Sequence, residues 1–295
     1  DKRLLAALIS VALVVVGFTT AKGTETGGWT VKVNRINFTT DEGYEMSAKM
    51  YQPENATPES PAPGILAIPG GNASLENMSD VAIELSRRGY VVMAIDPYTI
   101  GRSEIVNTPD VGSRSAMQYL MSLDFVDSDC IGAVGHSAGS GRARWAVTDD
   151  EEQTHVIDGV KAVMYLGAGT FNLENVNLGI FIGSWDNTYG QGKSSPRDLA
   201  TASTFTEALG ANPIEMGQWY GDPAEGNARI FYTGNSGHAT ALLLKQPIMD
   251  TVNFFDAALK PAAFPAEGTI YVWKEIGTSI GLIGALVMLF PVISF

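Results

Sequence analysis

"AVGHSAGSG", residues 133–141, is the stretch on which the reading of this chain turns. Gly135-His136-Ser137-Ala138-Gly139 fits the pattern G-x-S-x-G. That pattern carries chemistry only where a strand runs into it and a helix runs out of it. "IGAVG" before it reads as a short buried strand, and "SGRARWAVTD" after it as the start of a helix. In that setting the glycines on either side of Ser137 leave space for a sharp, strained turn. The turn lifts the serine hydroxyl above a sheet, at the N-terminus of the next helix. The competing reading is a glycine-rich turn with no chemistry.

Apolar strands recur on both sides of this point. "ILAIPGG", "YVVMAID", "VKAVMYLGA", "LGIFIGSW" and "ARIFYTG" are short apolar runs. Helical stretches alternate with them: "LENMSDVAIELSRRG", residues 110–126, and "PIMDTVNFFDAALK", whose Pro247 suits a first turn. "WTVKVNRINFTT" and "YEMSAKMYQP" predict a hairpin turned at residues 41–43. Buried strands alternating with helices predict an α/β fold: a mostly parallel sheet covered on both faces.

Here the chain resembles the α/β-hydrolase superfamily, and most closely its serine esterases related to dienelactone hydrolases and polyester hydrolases. The resemblance spans about residues 30–260. "IPGG" resembles the oxyanion loop, with Pro69 where many members have histidine. "AIDPYTIGRS", "IGSWDNTYG" and "NSGHAT" resemble the loop after the fourth strand, the acid loop and the histidine loop. Dienelactone hydrolases use a cysteine as nucleophile; Ser137 stands at that position here.

The chemistry of the residues leads to the same places. A serine hydroxyl needs a general base to attack at neutral pH. The chain has three histidines. His136 is fixed by the turn and His155 lies in a polar stretch, which leaves His238 as the base. The acid that orients it is expected at the C-terminal end of a strand. Asp186 follows "LGIFIGSW" and completes the chain order Ser137, Asp186, His238. Asp222 is a rival; Asp158 precedes a strand and belongs at the opposite edge. The amides of Ala138 and Gly71 are the expected oxyanion donors, with Asn72 as an alternative to Gly71. Tyr98, Trp185 and Trp219 are candidates to line a substrate pocket, or else core aromatics. Asp96 is expected to hold its loop. These residues predict hydrolysis of a carboxylic ester through an acyl-enzyme. An amidase, a peptidase or an acyltransferase would use the same groups, and a catalytically silent membrane-attached binding domain is the remaining alternative. No cofactor or metal is implied.

The ends of the chain are of a different kind. "LLAALISVALVVVGFTTA", residues 4–21, follows Lys2 and Arg3. "IGTSIGLIGALVMLFPVISF", residues 276–295, follows Lys274 and Glu275. Each is uncharged and about long enough to cross a bilayer. A signal peptide is the alternative for the first, a buried helix for the second. Gly277 and Gly281 form a small-residue pair of the kind that lets membrane helices approach. We expect a retained transmembrane helix over 1–21, a hydrolase domain over 22–275, and a second transmembrane helix over 276–295 that opens a longer membrane region. The Asp1 start predicts further sequence before it. Lys2 and Arg3 predict a cytoplasmic N-terminus and an extracytoplasmic domain. The net charge of -13 argues against nucleic acid and anionic headgroups as partners. Cys130, the one cysteine, excludes an internal disulfide and is expected to be buried.

Overall fold

The computed structural model describes residues 2–188, 195–259, 263–264 and 266–293. Among these residues, nine strands form one sheet in the order β1-β2-β4-β3-β5-β6-β7-β9-β8. The strands are β1 (Val31–Thr39), β2 (Glu45–Pro53), β3 (Ala62–Ile68), β4 (Val91–Asp96), β5 (Val126–His136), β6 (Val160–Leu166), β7 (Asn177–Gly183), β8 (Trp219–Tyr220) and β9 (Arg229–Gly234). The six strands from β4 to β9 across the middle are parallel; β1, β2 and β8 are antiparallel additions at the two sides. The β1–β2 hairpin turns at Gly43, whose φ of 88° suits glycine. The two-residue β8 carries no hydrophobic run, and sequence patterning does not reveal it.

Among the described residues, eight α-helices accompany the sheet: α1 (Lys2–Glu25), α2 (Ser79–Ser86), α3 (Ser113–Met121), α4 (Ala138–Ala146), α5 (Pro196–Thr201), α6 (Ser203–Leu209), α7 (Lys245–Ala258) and α8 (Val272–Ile293). Side chains alternate across a strand, so each central strand feeds two cores. Ile65 and Ala67 of β3 join Val92 and Ala94 of β4 beneath α2 and α7. Leu66 and Ile68 join Met93 and Ile95 beneath α3 and α4. All six residues of β4 are buried, which is why the strand reads as a continuous apolar run. Ile248, Val252 and Phe255 form the buried stripe of α7.

α1 and α8 are both long and apolar enough to cross a membrane. They pack on each other in antiparallel fashion. A side chain on Gly17 would sit 2.4 Å from the Gly281 nitrogen, and one on Gly277 would sit 2.6 Å from the Ala21 nitrogen. Further along, a side chain on Gly284 would sit 3.0 Å from the Ser10 oxygen. Gly277 therefore faces α1 with its missing side chain, whereas Gly281 contributes its backbone and its own Cβ would meet open space. Both helices extend past their apolar runs toward the sheet. α1 continues to Glu25, which pairs with Lys22 at 3.0 Å and Lys49 at 3.0 Å, and α8 begins at Val272, before Ile276.

Candidate active site

The turn between β5 and α4 has the strained geometry that the glycine spacing predicts. Ser137 has φ 55° and ψ -121°, a conformation that costs a non-glycine residue energy. Close packing accounts for the glycines. A Cβ on Gly135 would lie 2.2 Å from the Gly139 carbonyl oxygen, and one on Gly139 would lie 2.3 Å from the Ile68 oxygen. The Ser137 N–H donates to the Leu166 carbonyl at 2.8 Å and ties the turn to the end of β6.

Three side chains from three loops meet here. The Ser137 Oγ lies 2.7 Å from Nε2 of His238, and Nδ1 of His238 lies 2.7 Å from Oδ2 of Asp186. All three follow C-terminal strand ends: Ser137 after β5, Asp186 after β7 and His238 after β9. Asp186 is buried, while Ser137 is half-exposed. Burial opposes the charge on Asp186, but hydrogen bonds from Thr188 and His238 outweigh it. The carboxyl is held below its ordinary range.

Thr188 is a residue that sequence reasoning missed. Its hydroxyl donates to Asp186 Oδ1 at 2.5 Å and lies 2.7 Å from His238 Nδ1. Gly167 was also missed as part of the site. It follows β6 at φ 72°, and a Cβ there would lie 3.0 Å from His238 Nδ1 and 3.4 Å from Asp186 Oδ2. Nothing in the local sequence points at either contact, because both depend on how separate loops fold together.

His136 points away from Ser137, as expected. Its Nε2–H donates to the His238 carbonyl at 3.0 Å, and burial lowers its pKa. A neutral His136 thus braces the backbone of the neighbouring histidine. His155 is exposed and pairs with Asp149 at 2.7 Å. Asp222 lies before β9, where it accepts from the Ala224 N–H at 2.9 Å. Asp158 lies before β6. Both therefore belong to the strand-start edge, away from His238.

The Pro69–Gly71 loop abuts the serine. A Cβ on Gly70 would lie 3.1 Å from the Ser137 Cβ, which places Pro69–Gly71 against the turn. Arg142 donates to the Pro69 and Gly71 carbonyls, each at 3.3 Å. Asp96 holds the far end of the loop, accepting from the Leu75 N–H at 2.9 Å. Its other oxygen accepts from Arg102 N and Arg35 Nη1, each at 3.1 Å. Through the Arg102 N–H it anchors its own loop, the role the sequence suggests for it. Ala138 opens α4, and N–H groups in a first turn lack an intrahelical acceptor.

Two of the three pocket aromatics lie elsewhere. Tyr98 is buried, hydrogen-bonded to Thr40 at 3.2 Å and packed edge-on against Tyr44, so it offers no surface to a substrate. Trp219 pairs with Ile230 near the start of β9 and stacks on Phe254 of α7. It is a packing residue at the other end of the strand from His238. Trp185 stays at the site: it precedes Asp186, is 73% exposed and donates to Asn235. A cavity of about 260 Å³ adjoins the turn, lined by Ser140, Gly141, Tyr165 and the Ala168–Thr170 loop. Among the described residues, no group of three or more His, Cys, Asp or Glu could hold a metal ion.

The sheet order, the turn at Ser137 and the chain order of these residues make this an α/β-hydrolase fold. Solved structures with the same architecture include the Thermogutta terrifontis esterase Est2, which is 18% identical with a TM-score of 0.56 and covers 79% of this chain and 95% of its own. The Pyrococcus furiosus esterase Pf2001 is 14% identical with a TM-score of 0.54 and covers 78% and 93%. Among curated proteins, the uncharacterized Escherichia coli protein YcjY is 27% identical over 166 residues, 52% of this chain. The match spans about half of that relative's length, 49%. No family model matches the chain.

Proposed function

We propose that the protein is a serine hydrolase that cleaves carboxylic esters through an acyl-enzyme. The observation that carries this is the continuous hydrogen-bonded series from Ser137 through His238 to Asp186 at a strained strand-to-helix turn. Ser137 Oγ attacks the ester carbonyl as His238 Nε2 takes its proton. The amides of Ala138 and Gly71 receive the developing negative charge. His238 then gives the proton to the leaving alcohol. Water, deprotonated by His238, attacks the acyl-enzyme, releases the carboxylic acid and restores Ser137. Asp186 keeps the imidazole in the right tautomer and stabilises its charged form. Est2 and Pf2001 are esterases, which favours an ester over an amide substrate.

In the same reading, α1 and α8 form an antiparallel membrane hairpin. Both would cross the bilayer and hold the sheet domain on one side. Lys2 and Arg3 favour the extracytoplasmic side. Turnover of a small activated ester by the purified full chain tests the hydrolase reading. S137A and H238A should each lose turnover while keeping the circular dichroism of the parent. Full turnover in S137A would overturn it.

A further inference from the structure

The membrane hairpin leaves the domain at one particular edge of the sheet. The strands β3 and β4 run toward the site, and α2 between them runs back from it. Ser79, at the start of α2, marks the edge that carries Ser137; Glu84, five residues on, lies deeper. The buried Glu84 carboxylate accepts from the Ile270 and Tyr271 N–H groups at 2.6 and 3.0 Å. Lys274 Nζ reaches the Ser79 hydroxyl at 2.7 Å. The chain therefore climbs antiparallel to α2, from Glu84 to Ser79, and α8 continues past the edge that carries the site. Tyr271 donates to the Leu243 carbonyl at 2.7 Å, which fixes the base of α8 beside the loop after His238.

α1 descends along the same line. Its final turn is held by Lys49, which bridges Glu25 at 3.0 Å and Glu76 at 2.6 Å. Glu76 lies just beyond the oxyanion loop. After Gly27, whose Cβ would meet Arg87 at 3.2 Å, the chain enters β1. The helical stretch above these anchors is about 29 Å for α8, at 1.5 Å per residue, close to the hydrocarbon thickness of a bilayer. A bilayer around the hairpin would begin within roughly one helical turn, about 5 Å, of the catalytic edge.

Four large apolar side chains are exposed on the loops of that edge. Trp185 after β7, Leu243 and Leu244 after β9, and Ile105 in the loop after β4 are all exposed. Ile105 is 88% exposed and Leu243 54%. Tryptophan is favoured at a lipid–water interface, and leucine is among the residues that interfacial segments bury into it. The net charge of -13 disfavours an anionic bilayer surface.

We propose that the site faces the membrane that anchors it, and that its substrate is an acyl ester held in that membrane, presented by a neutral or zwitterionic lipid surface. The substrate assignment rests on the hydrolase reading above, and the orientation on the membrane-hairpin reading alone. Hydrolysis would release the acyl chain as a carboxylic acid and the remainder as an alcohol.

Two measurements on the full chain in phosphatidylcholine vesicles test this. Cys130 is buried, so the I105C and D158C variants can each be labelled with a thiol-reactive fluorophore. A nitroxide on the lipid headgroup should quench the label on I105C and spare the label on D158C, at the opposite edge. Quenching of D158C alone, of both, or of neither would overturn the orientation. The second measurement uses long-chain 4-methylumbelliferyl palmitate. Ester doped into the vesicles that carry the protein should be cleaved at least about tenfold faster than ester in separate vesicles, because anchoring raises its effective concentration. Equal rates would overturn the membrane-held substrate. Loss of activity toward both this ester and soluble 4-methylumbelliferyl acetate, with I105C quenched as expected, would instead remove the hydrolase reading and with it the substrate, leaving the orientation standing.

Discussion

Thr188 and Asp186 form a closed local unit: the threonine N–H and hydroxyl both donate to Asp186 Oδ1, at 3.0 and 2.5 Å. The other carboxylate oxygen is left for His238. The hydroxyl thus fixes the carboxylate plane and helps hold its charge. Removing it in T188V should lower kcat roughly tenfold to a hundredfold with a small change in KM, the scale of a hydrogen bond to a charged group. T188S should retain most activity. The Asp186 carboxyl should also move upward toward the ordinary value near 4. Its folded value is depressed, so the stability it contributes is present above that ordinary value and lost as pH falls through the folded one. The stability gap between parent and T188V should therefore be full at neutral pH and shrink in acid, as read by urea unfolding.

Asp186 and Asp222 are separated by their places in the sheet. D186N should keep its fold and lose turnover by as much as about 10⁴-fold, the scale known for a triad aspartate in another fold. D222N should lose a hydrogen bond in a short turn and keep turnover within about threefold, since the loss is near 1 kcal/mol of stability and touches no reacting atom. Steady-state kinetics on a small activated ester distinguish them. Collapse in D222N with normal turnover in D186N would reverse the assignment.

Asp80 makes the base of the α1–α8 helix pair sensitive to pH. Burial pushes its carboxyl up to about 7, against the pull of Lys274. Below about pH 4 both folded and unfolded chains keep the proton. Between there and about 7 the unfolded chain has lost it and the folded one has not, so stability falls as pH rises. D80N should remove this slope. It should stabilise the protein at pH 8, by as much as roughly 4 kcal/mol, and have little effect at pH 4. Thermal unfolding of the detergent-solubilised chain at the two pH values reads the difference.

Gly17 and Gly281 meet across the hairpin but tolerate side chains differently. A methyl group on Gly17 would strike the Gly281 backbone at 2.4 Å, whereas one on Gly281 would meet nothing within 4 Å. G17A should destabilise the helix pair by about 1–3 kcal/mol, the usual cost of overpacking. G281A should be near neutral. Thermal unfolding of the detergent-solubilised chain reads the difference: the midpoint should fall in G17A and stay near the parent's in G281A.

Much of this was legible in the sequence because local rules and global fold agree. Glycines at 135 and 139, a strand before them and a helix after them are enough to place Ser137 at a turn. The chain order then brings Asp186 and His238 to the same edge. The rest was hidden for definite reasons. Tyr98 and Trp219 lie close to strand ends in sequence, but the pattern does not say that Tyr98 is buried against Tyr44, or that Trp219 packs on Phe254. Thr188 and Gly167 touch His238 only through tertiary folding. The small-residue pair at 277 and 281 predicted close approach, but its partner face, Ser10 and Gly17, emerges only when α1 and α8 are set side by side.

Reaction with a fluorophosphonate, followed by mass mapping of the modified peptide, tests the central claim most directly. An activated nucleophile reacts because a base withdraws its proton as it attacks. The account predicts one adduct, on Ser137, in the peptide that contains residues 133–141. The adduct should be absent in S137A and strongly reduced in H238A. A folded chain that forms no adduct, or forms it on another serine, would contradict the account.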